Sequence, residues 1–367
     1  MGFLNRSICY IGSKSPHLNK FLSFFSNYFD KVVLITNKKP DMAFSNCIVY
    51  EVDFSLKKLW NILTTTNKIK NILEKEKPNL LHIHQANSYA FYTLLANRSL
   101  KIPSILNIWG SDILVLPKVN VFLREMVKYN LKNADVIVVE SFFEENIVRS
   151  LIGNKEKEIR LMNFGIYDDY LEEDVNEIIN YKENIVFSNR LHNKLYRIDK
   201  IIEAYAKLVK YGKYNDWRLV IAGSGEETEN LKKLVLLNNL EDKVEFIGWV
   251  SKDELKDWYK RSKIFISIPL SDGVPLSVLE AMSYGCLLVV SYIPSVIEFV
   301  IDKINAIVVN NVESLDKFLE EAINLCNSAE LIKSNIELNR RIIREHAIYS
   351  KNMEKFSLLY YEMIKRV

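Results

Sequence analysis

Only four cysteines occur in 367 residues, Cys9, Cys47, Cys286 and Cys326, and none stands in CxxC or Cys/His ligand spacing. That scarcity excludes a disulfide framework and a structural zinc site, and it predicts a reduced, cytoplasmic setting. No uncharged apolar run is long enough to span a bilayer, and the opening MGFLNRSICYIGS is too short and interrupted for a signal peptide. The sequence therefore predicts a soluble protein, at most peripheral at the cytoplasmic face of a membrane. There is no internal repeat, no low-complexity tract and no aromatic-interleaved basic motif, so no nucleic-acid partner is expected.

What is present is ordinary globular material, 49% hydrophobic and 26% charged. The length favours two domains, each able to bury its own core. The net charge of +3 is unevenly spread: residues 1–167 hold 22 Lys/Arg against 14 Asp/Glu, and the remainder 27 against 32. A basic half suits an anionic substrate or an acidic membrane surface; a solvated lysine face is the blander reading.

Short β-branched runs alternate with longer helical patterns, the signature of βαβ units on parallel sheets. Seven strand candidates fall between Ser7 and Met162, and six more between Ile185 and Val309. The stretch 166–183 loses periodicity, turns acidic and reads as a linker. The expected fold is α/β: a Rossmann-like domain over 1–165, completed by an amphipathic helix in 350–367, and a second over 184–349. Two such domains would face each other across a cleft, with ligand at the carboxyl ends of the strands.

The segment from Ile264, IFISIPLSDGVPLSVLEAMS, carries the most chemistry. A buried strand ends near Ile268, a glycine-containing turn follows, and a helix opens around Pro275, a residue favoured in the first turn. The amides of Gly273, Val274, Leu276 and Ser277 would then be open to an anion that the helix dipole favours; a diphosphate fits. Glu280 shares a helix face with Leu276 and is placed to accept from a ribose diol, while Asp272, in the turn, is placed for sugar hydroxyls. A capping Asp272 and a surface Glu280 are the alternative reading.

This segment resembles the E-x7-E region of glycosyltransferase family 4: Ser267, Asp272, Leu279-Glu280-Ala281-Met282 and Gly285 stand in its order, with Asp replacing the first Glu. Ile293-Pro-Ser-Val-Ile-Glu298 matches the family's loop and Glu after the next strand. Ile221-Ala-Gly-Ser-Gly-Glu and Val244-Glu-Phe-Ile-Gly-Trp-Val-Ser follow in the family's spacing, and Asn163-Phe-Gly-Ile-Tyr resembles its P-N-G-V-D. The resemblance is specific over 159–311 and looser before. It implies the GT-B fold and a retaining, metal-independent transfer from a nucleotide sugar to a glycan or lipid-linked acceptor, in bacterial lipopolysaccharide, capsule or other surface glycan synthesis. No cofactor is implied beyond the nucleotide-sugar co-substrate, for which a UDP-sugar is the default. Gly223, Gly248, Trp249 and Val250 become donor-binding candidates, and Gly12 matches the family's N-terminal glycine loop.

The family's G-R-x4-K-G run implies positive charge for the leaving diphosphate. Here Arg190 matches, but Tyr196 stands where Lys is expected. Lys194 is the preferred substitute, with Arg197 the alternative. On the other domain His84 ends a strand, and Asn107-Ile-Trp-Gly-Ser-Asp resembles the family's H-G-x-D loop with Trp109 in place of His and Asp112 retained. His84, Trp109 and Asp112 are thus acceptor- or sugar-side candidates, with core packing and turn capping as the alternatives. No Asp-x-Asp motif is present, which argues against a metal-bound diphosphate. A nucleotide-sugar epimerase of the same fold and a non-catalytic nucleotide-sugar-binding protein are the rival readings.

Overall fold

The β-branched runs of the first half pair in parallel as β1 (Phe3–Gly12), β2 (Phe29–Thr36), β3 (Cys47–Glu51), β4 (Leu80–His84), β5 (Ser104–Asn107), β6 (Val136–Val139) and β7 (Ile159–Leu161). Their order, β3-β2-β1-β4-β5-β6-β7, reverses direction between β1 and β4. All five residues of β4 are buried, as expected of a central parallel strand covered on both faces. The computed structural model describes residues 3–40, 44, 46–56, 60–153, 156–210 and 212–366. The sequence pattern predicts helices over Leu59–Glu76 and Ile198–Tyr211, and of these Leu59 and Tyr211 lie outside that set.

The second half builds a six-stranded parallel sheet from β8 (Glu183–Ser188), β9 (Arg218–Ala222), β10 (Val244–Gly248), β11 (Ser262–Ser267), β12 (Leu287–Ser291) and β13 (Ala306–Val309). Its order is β10-β9-β8-β11-β12-β13, with the reversal between β8 and β11. In doubly wound sheets the loops leaving two such strands diverge to opposite sides and open a crevice between them. The loops after β8 and β11 carry Arg190 and Asp272, so the topology alone brings these residues together.

The chain divides into two compact units, Met1–Phe164 with Ser350–Val367, and Gly165–Tyr349. The final helix, Tyr349–Lys365, packs within the first unit: Phe356 meets Phe21 edge-on at 4.8 Å, and the Tyr360 hydroxyl lies 2.6 Å from His82 Nδ1. Residues 166–183 are folded into the second unit. Tyr170 and Ile178 are buried there, Asp174 caps the helix Val175–Asn180, and Glu183 begins β8. The helix after β11 runs Leu276–Ser283. Pro275 precedes it in the extended cap position (φ −78°, ψ 118°), not in its first turn, because the chain is still leaving the glycine turn there.

Candidate functional site

Two polar clusters meet at the β8/β11 reversal, both anchored on the dipeptide that follows β8. Arg190, nearly buried, donates through Nη2 to Asp272 Oδ2 and through Nη1 to Ser277 Oγ at 2.7 Å. The Tyr196 ring lies 4.3 Å from the guanidinium carbon, a cation–π contact that helps fix the fork. The residue that departs from the expected Lys therefore supports the cation beside it. Burial raises the Asp272 carboxyl above its usual value, and Arg190 opposes that rise without cancelling it. Gly273 donates its amide to Asp272 Oδ1 at 3.1 Å, and Ser295 Oγ donates to the Asp272 and Gly273 carbonyls at 3.1 and 2.9 Å. Among the described residues, the amides of Leu276 and Ser277 find no backbone acceptor, as the first turn of a helix leaves them. Val274 packs its side chain into the core and Pro275 fixes the cap, so both shape the turn.

Glu280 stands one turn further along the helix. Its Oε2 accepts from the buried Tyr259 hydroxyl at 3.1 Å, and burial together with the nearby Glu280 charge holds the Tyr170 hydroxyl well above its usual pKa. Tyr259 in turn accepts from Asn189 Nδ2 at 2.7 Å. Asn189 and Arg190 thus hold the two carboxylates of the segment separately, one through a tyrosine and one directly. Tyr170 is carried by a short 3-10 helix, Asp168–Leu171. Asp169 there pairs with Lys252 and Lys256 at 2.8 and 2.7 Å, and Lys252 lies 4.2 Å from the Tyr167 ring centroid. None of Asn189, Tyr170, Tyr259 or Ser277 as an Arg190 partner was read as a supporting residue from the sequence. Only the adjacency of Asn189 to Arg190 offered a signal.

Glycines set how near the neighbouring loops come. A Cβ on Gly223 (φ +102°) would sit 2.7 Å from the Arg190 carbonyl oxygen, and one on Gly225 would sit 2.4 Å from that of His192. The β9 loop can lie against the β8 loop only because both positions lack a side chain. Gly223 also donates its amide to the Gly248 carbonyl at 2.6 Å, which joins the turn after β10 to this cluster. In that turn Gly248 is left-handed (φ +68°), Trp249 is 71% exposed and Val250 leans on the core.

The two candidates for a second cation differ. Arg197 donates to the Ile268 and Pro269 carbonyls at 2.7 and 3.1 Å and to Ser291 Oγ at 3.0 Å, so it braces the loop leaving β11. Lys194 is exposed and lines a groove with Asn193, Asp199 and Glu227.

In the first unit, Gly12 and His84 end the two strands at the β1/β4 reversal, and a Cβ on Gly12 would meet His84 Cβ at 3.1 Å. His84 is fully buried, among the described residues neither of its ring nitrogens is hydrogen-bonded, and burial drives its pKa well below the usual histidine value. Its ring lies 5.5 Å from Trp109, which lies 5.1 Å from His17, and the buried Trp109 indole N–H likewise has no partner among the described residues. Asp112 is committed to the loops: it accepts from the Ala86 amide at 2.7 Å and the Trp109 amide at 3.1 Å, and burial raises its pKa to about 6.

Two family descriptions match the chain: Glycosyl transferases group 1 over residues 171–341, and Glycosyl transferase 4-like over residues 7–141. Among curated relatives, N-acetyl-alpha-D-glucosaminyl L-malate synthase of Bacillus anthracis is 23% identical over 83% of this chain and 80% of its own length. An uncharacterized glycosyltransferase of Methanocaldococcus jannaschii is 25% identical over 89% and 88%. Among solved structures, sucrose-phosphate synthase from Thermosynechococcus elongatus superposes with a TM-score of 0.80 at 15% identity, covering 99% of this chain and 100% of that one. Anabaena HepE, in complex with UDP and glucose, gives 0.78 at 12% identity, covering 97% and 99%.

Proposed function

Since the chain belongs to the group 1 glycosyltransferases, with a 4-like N-terminal part and the GT-B fold, we propose that it moves a sugar from a nucleoside-diphosphate sugar to a glycan or lipid-linked acceptor, with retention of configuration, in surface-glycan synthesis. The observation that carries the donor assignment is the double tether at the β8/β11 reversal: Arg190 on Asp272 and Ser277, and Asn189 through Tyr259 on Glu280. In this reading the diphosphate lies against the Leu276 and Ser277 amides. Arg190 spends two of its donors on Ser277 and Asp272, and its remaining N–H groups stabilise charge that grows on the leaving phosphate. Glu280, held by the Tyr259 hydroxyl, accepts from the ribose hydroxyls. Asp272 holds the guanidinium in place and offers its carboxylate edge to the sugar. Gly223 and Gly248–Val250 bring backbone close to the nucleoside. In the first unit His84 and Trp109 offer uncharged ring N–H groups for the acceptor or sugar side, and Asp112 fixes their loop. A UDP-sugar is the default donor, since the HepE structures hold UDP with glucose and UDP-glucose. Leaving-group stabilisation is assigned to these amides and cations, without a metal.

A thermal-shift panel of UDP-, GDP-, dTDP- and CMP-sugars, followed by nucleotide release with and without acceptor glycans, tests the reading. One nucleotide class should raise the melting temperature selectively and be released in an acceptor-dependent way. No shift with any of the four, or conversion of the sugar to its epimer without acceptor, would overturn it.

A further inference from the structure

Between β5 and β6 the chain runs through 12 residues, ILVLPKVNVFLR from Ile113 to Arg124, that contain two cations and no acid. They form two single-turn helices, Ser111–Leu114 and Leu116–Val119, and then the start of the helix Val121–Asn133, which Asn120 caps by accepting from the Leu123 amide at 2.8 Å. Because all seven strands are parallel, this stretch lies at the carboxyl edge of the sheet, directly after the Trp109–Asp112 loop. Ile113, Leu114 and Pro117 face the core, while other apolar side chains of the stretch point outward. Val119, Val121 and Phe122 are 61%, 76% and 49% exposed. Behind them Leu114, Pro117, Ile147 and Leu151 line an open groove of about 540 Å³ whose rim carries Lys118 and Arg124. Among the described residues neither cation enters an ion pair. At the same edge Trp60, 73% exposed, opens the helix Trp60–Glu76 that leads from β3 to β4.

We propose that this edge of the first unit is a docking surface for an anionic phospholipid membrane, with Val119, Val121 and Phe122 entering the headgroup boundary and Lys118 and Arg124 meeting lipid phosphates. Isolated exposed valines are ordinary; three large apolar side chains beside unpaired cations on one acid-free stretch are the composition that an anionic interface selects. A protein partner would leave the cations in need of matching carboxylates, whereas a lipid phosphate satisfies them in any lateral position. The face deepens the reading of a lipid-linked acceptor, since such an acceptor would arrive beside the Trp109–Asp112 loop. It is tested without donor or acceptor, so its failure leaves the transferase reading standing.

The test is co-sedimentation of the full chain with vesicles of phosphatidylglycerol mixed with phosphatidylcholine, and with phosphatidylcholine alone. The protein should partition onto the mixed vesicles, weakly onto the neutral ones, and less as salt rises. Val121→Glu with Phe122→Glu should abolish binding with the melting temperature unchanged. Lys118→Gln and Arg124→Gln should each lower the partition coefficient about fivefold. Equal binding by wild type and the double-Glu variant, or none by wild type to either vesicle, would overturn the proposal. So would light scattering that shows a wild-type dimer dispersed by the double-Glu change, which would make a second copy the occupant.

Discussion

Tyr259→Phe removes one oxygen from the second unit and nothing else, and its consequences follow from two bonds. The hydroxyl is fully buried, accepts from Asn189 Nδ2 at 2.7 Å and donates to Glu280 Oε2 at 3.1 Å. A hydrogen bond to a charged acceptor contributes about 1.5–3 kcal/mol, and a buried amide stripped of its partner costs about 1–3 kcal/mol. Relief of the buried hydroxyl's own desolvation offsets part of this, which leaves an expected loss of about 2–3 kcal/mol. For a unit of this size each kcal/mol moves the melting temperature by about 2–4 °C, so a drop of about 5–10 °C is predicted. Urea unfolding followed by fluorescence measures the free energy directly. The same variant should weaken donor binding about tenfold, because Glu280 keeps its charge and loses the tyrosine hydroxyl that aims it. Tyr259→Phe with unchanged stability and unchanged donor affinity would refute the reasoning that the hydroxyl links Asn189 to Glu280.

Arg197→Ala should cost about 2–4 kcal/mol of unfolding free energy, since three acceptors on the loop leaving β11 lose their donor; Arg197→Lys should recover little, lacking the fork. Gly225→Ala should separate the β9 loop from His192 and weaken donor binding at least about tenfold, read by calorimetry, because its Cβ would lie 2.4 Å from a carbonyl oxygen. Burial lowers the folded pKa of His17 to about 4 and of His82 to about 3, so their contribution to stability is complete above the unfolded value and is lost as pH falls towards those values. Asp112, raised to about 6, acts in the opposite sense: its contribution is present at low pH and lost as pH rises through 6. At pH 5 each histidine removes about 2 kcal/mol against a gain of about 1 kcal/mol from Asp112, so the first unit should melt lower at pH 5 than at pH 7. His82→Gln should flatten that slope.

The strands were legible because parallel sheets bury both faces and write themselves as continuous β-branched runs; β4, β8 and β12 are examples. The 18-residue helix Ala329–His346 was not legible. Its buried face holds Asn335, Asn339 and Arg340 among the isoleucines: Asn339 Oδ1 accepts from Asn305 at 2.8 Å, and Arg340 donates to the Ser283 and Glu173 carbonyls at 3.0 and 2.8 Å. Polar side chains doing the work of a core interrupt the apolar stripe that a periodicity reading needs. The stretch 166–183 hid for a related reason, since its acids serve as ion-pair partners and caps around two buried anchors, Tyr170 and Ile178. Asp272 and Glu280 were legible as candidates because their spacing follows a strand–turn–helix, and Arg190 because it matches the G-R run of the resembled family. Their partners were not: Tyr259 and Tyr170 approach Glu280 from other elements, and Tyr196, in the same loop as Arg190, registers in the sequence only as a departure from the expected Lys. The sequence favours Lys194 over Arg197 by loop position alone; the bonds from Arg197 to the Ile268 and Pro269 carbonyls add a structural role for Arg197 that the sequence does not show.

The claim that Glu280 grips the nucleoside of the donor is tested most directly by calorimetric titration of the selected nucleoside diphosphate into the wild type and into Glu280→Ala. Two charge-assisted bonds to a ribose diol, less what water restores, predict a loss of affinity of about hundredfold with the second unit still folded. A Glu280→Ala protein that binds the nucleotide as tightly as wild type would contradict the account.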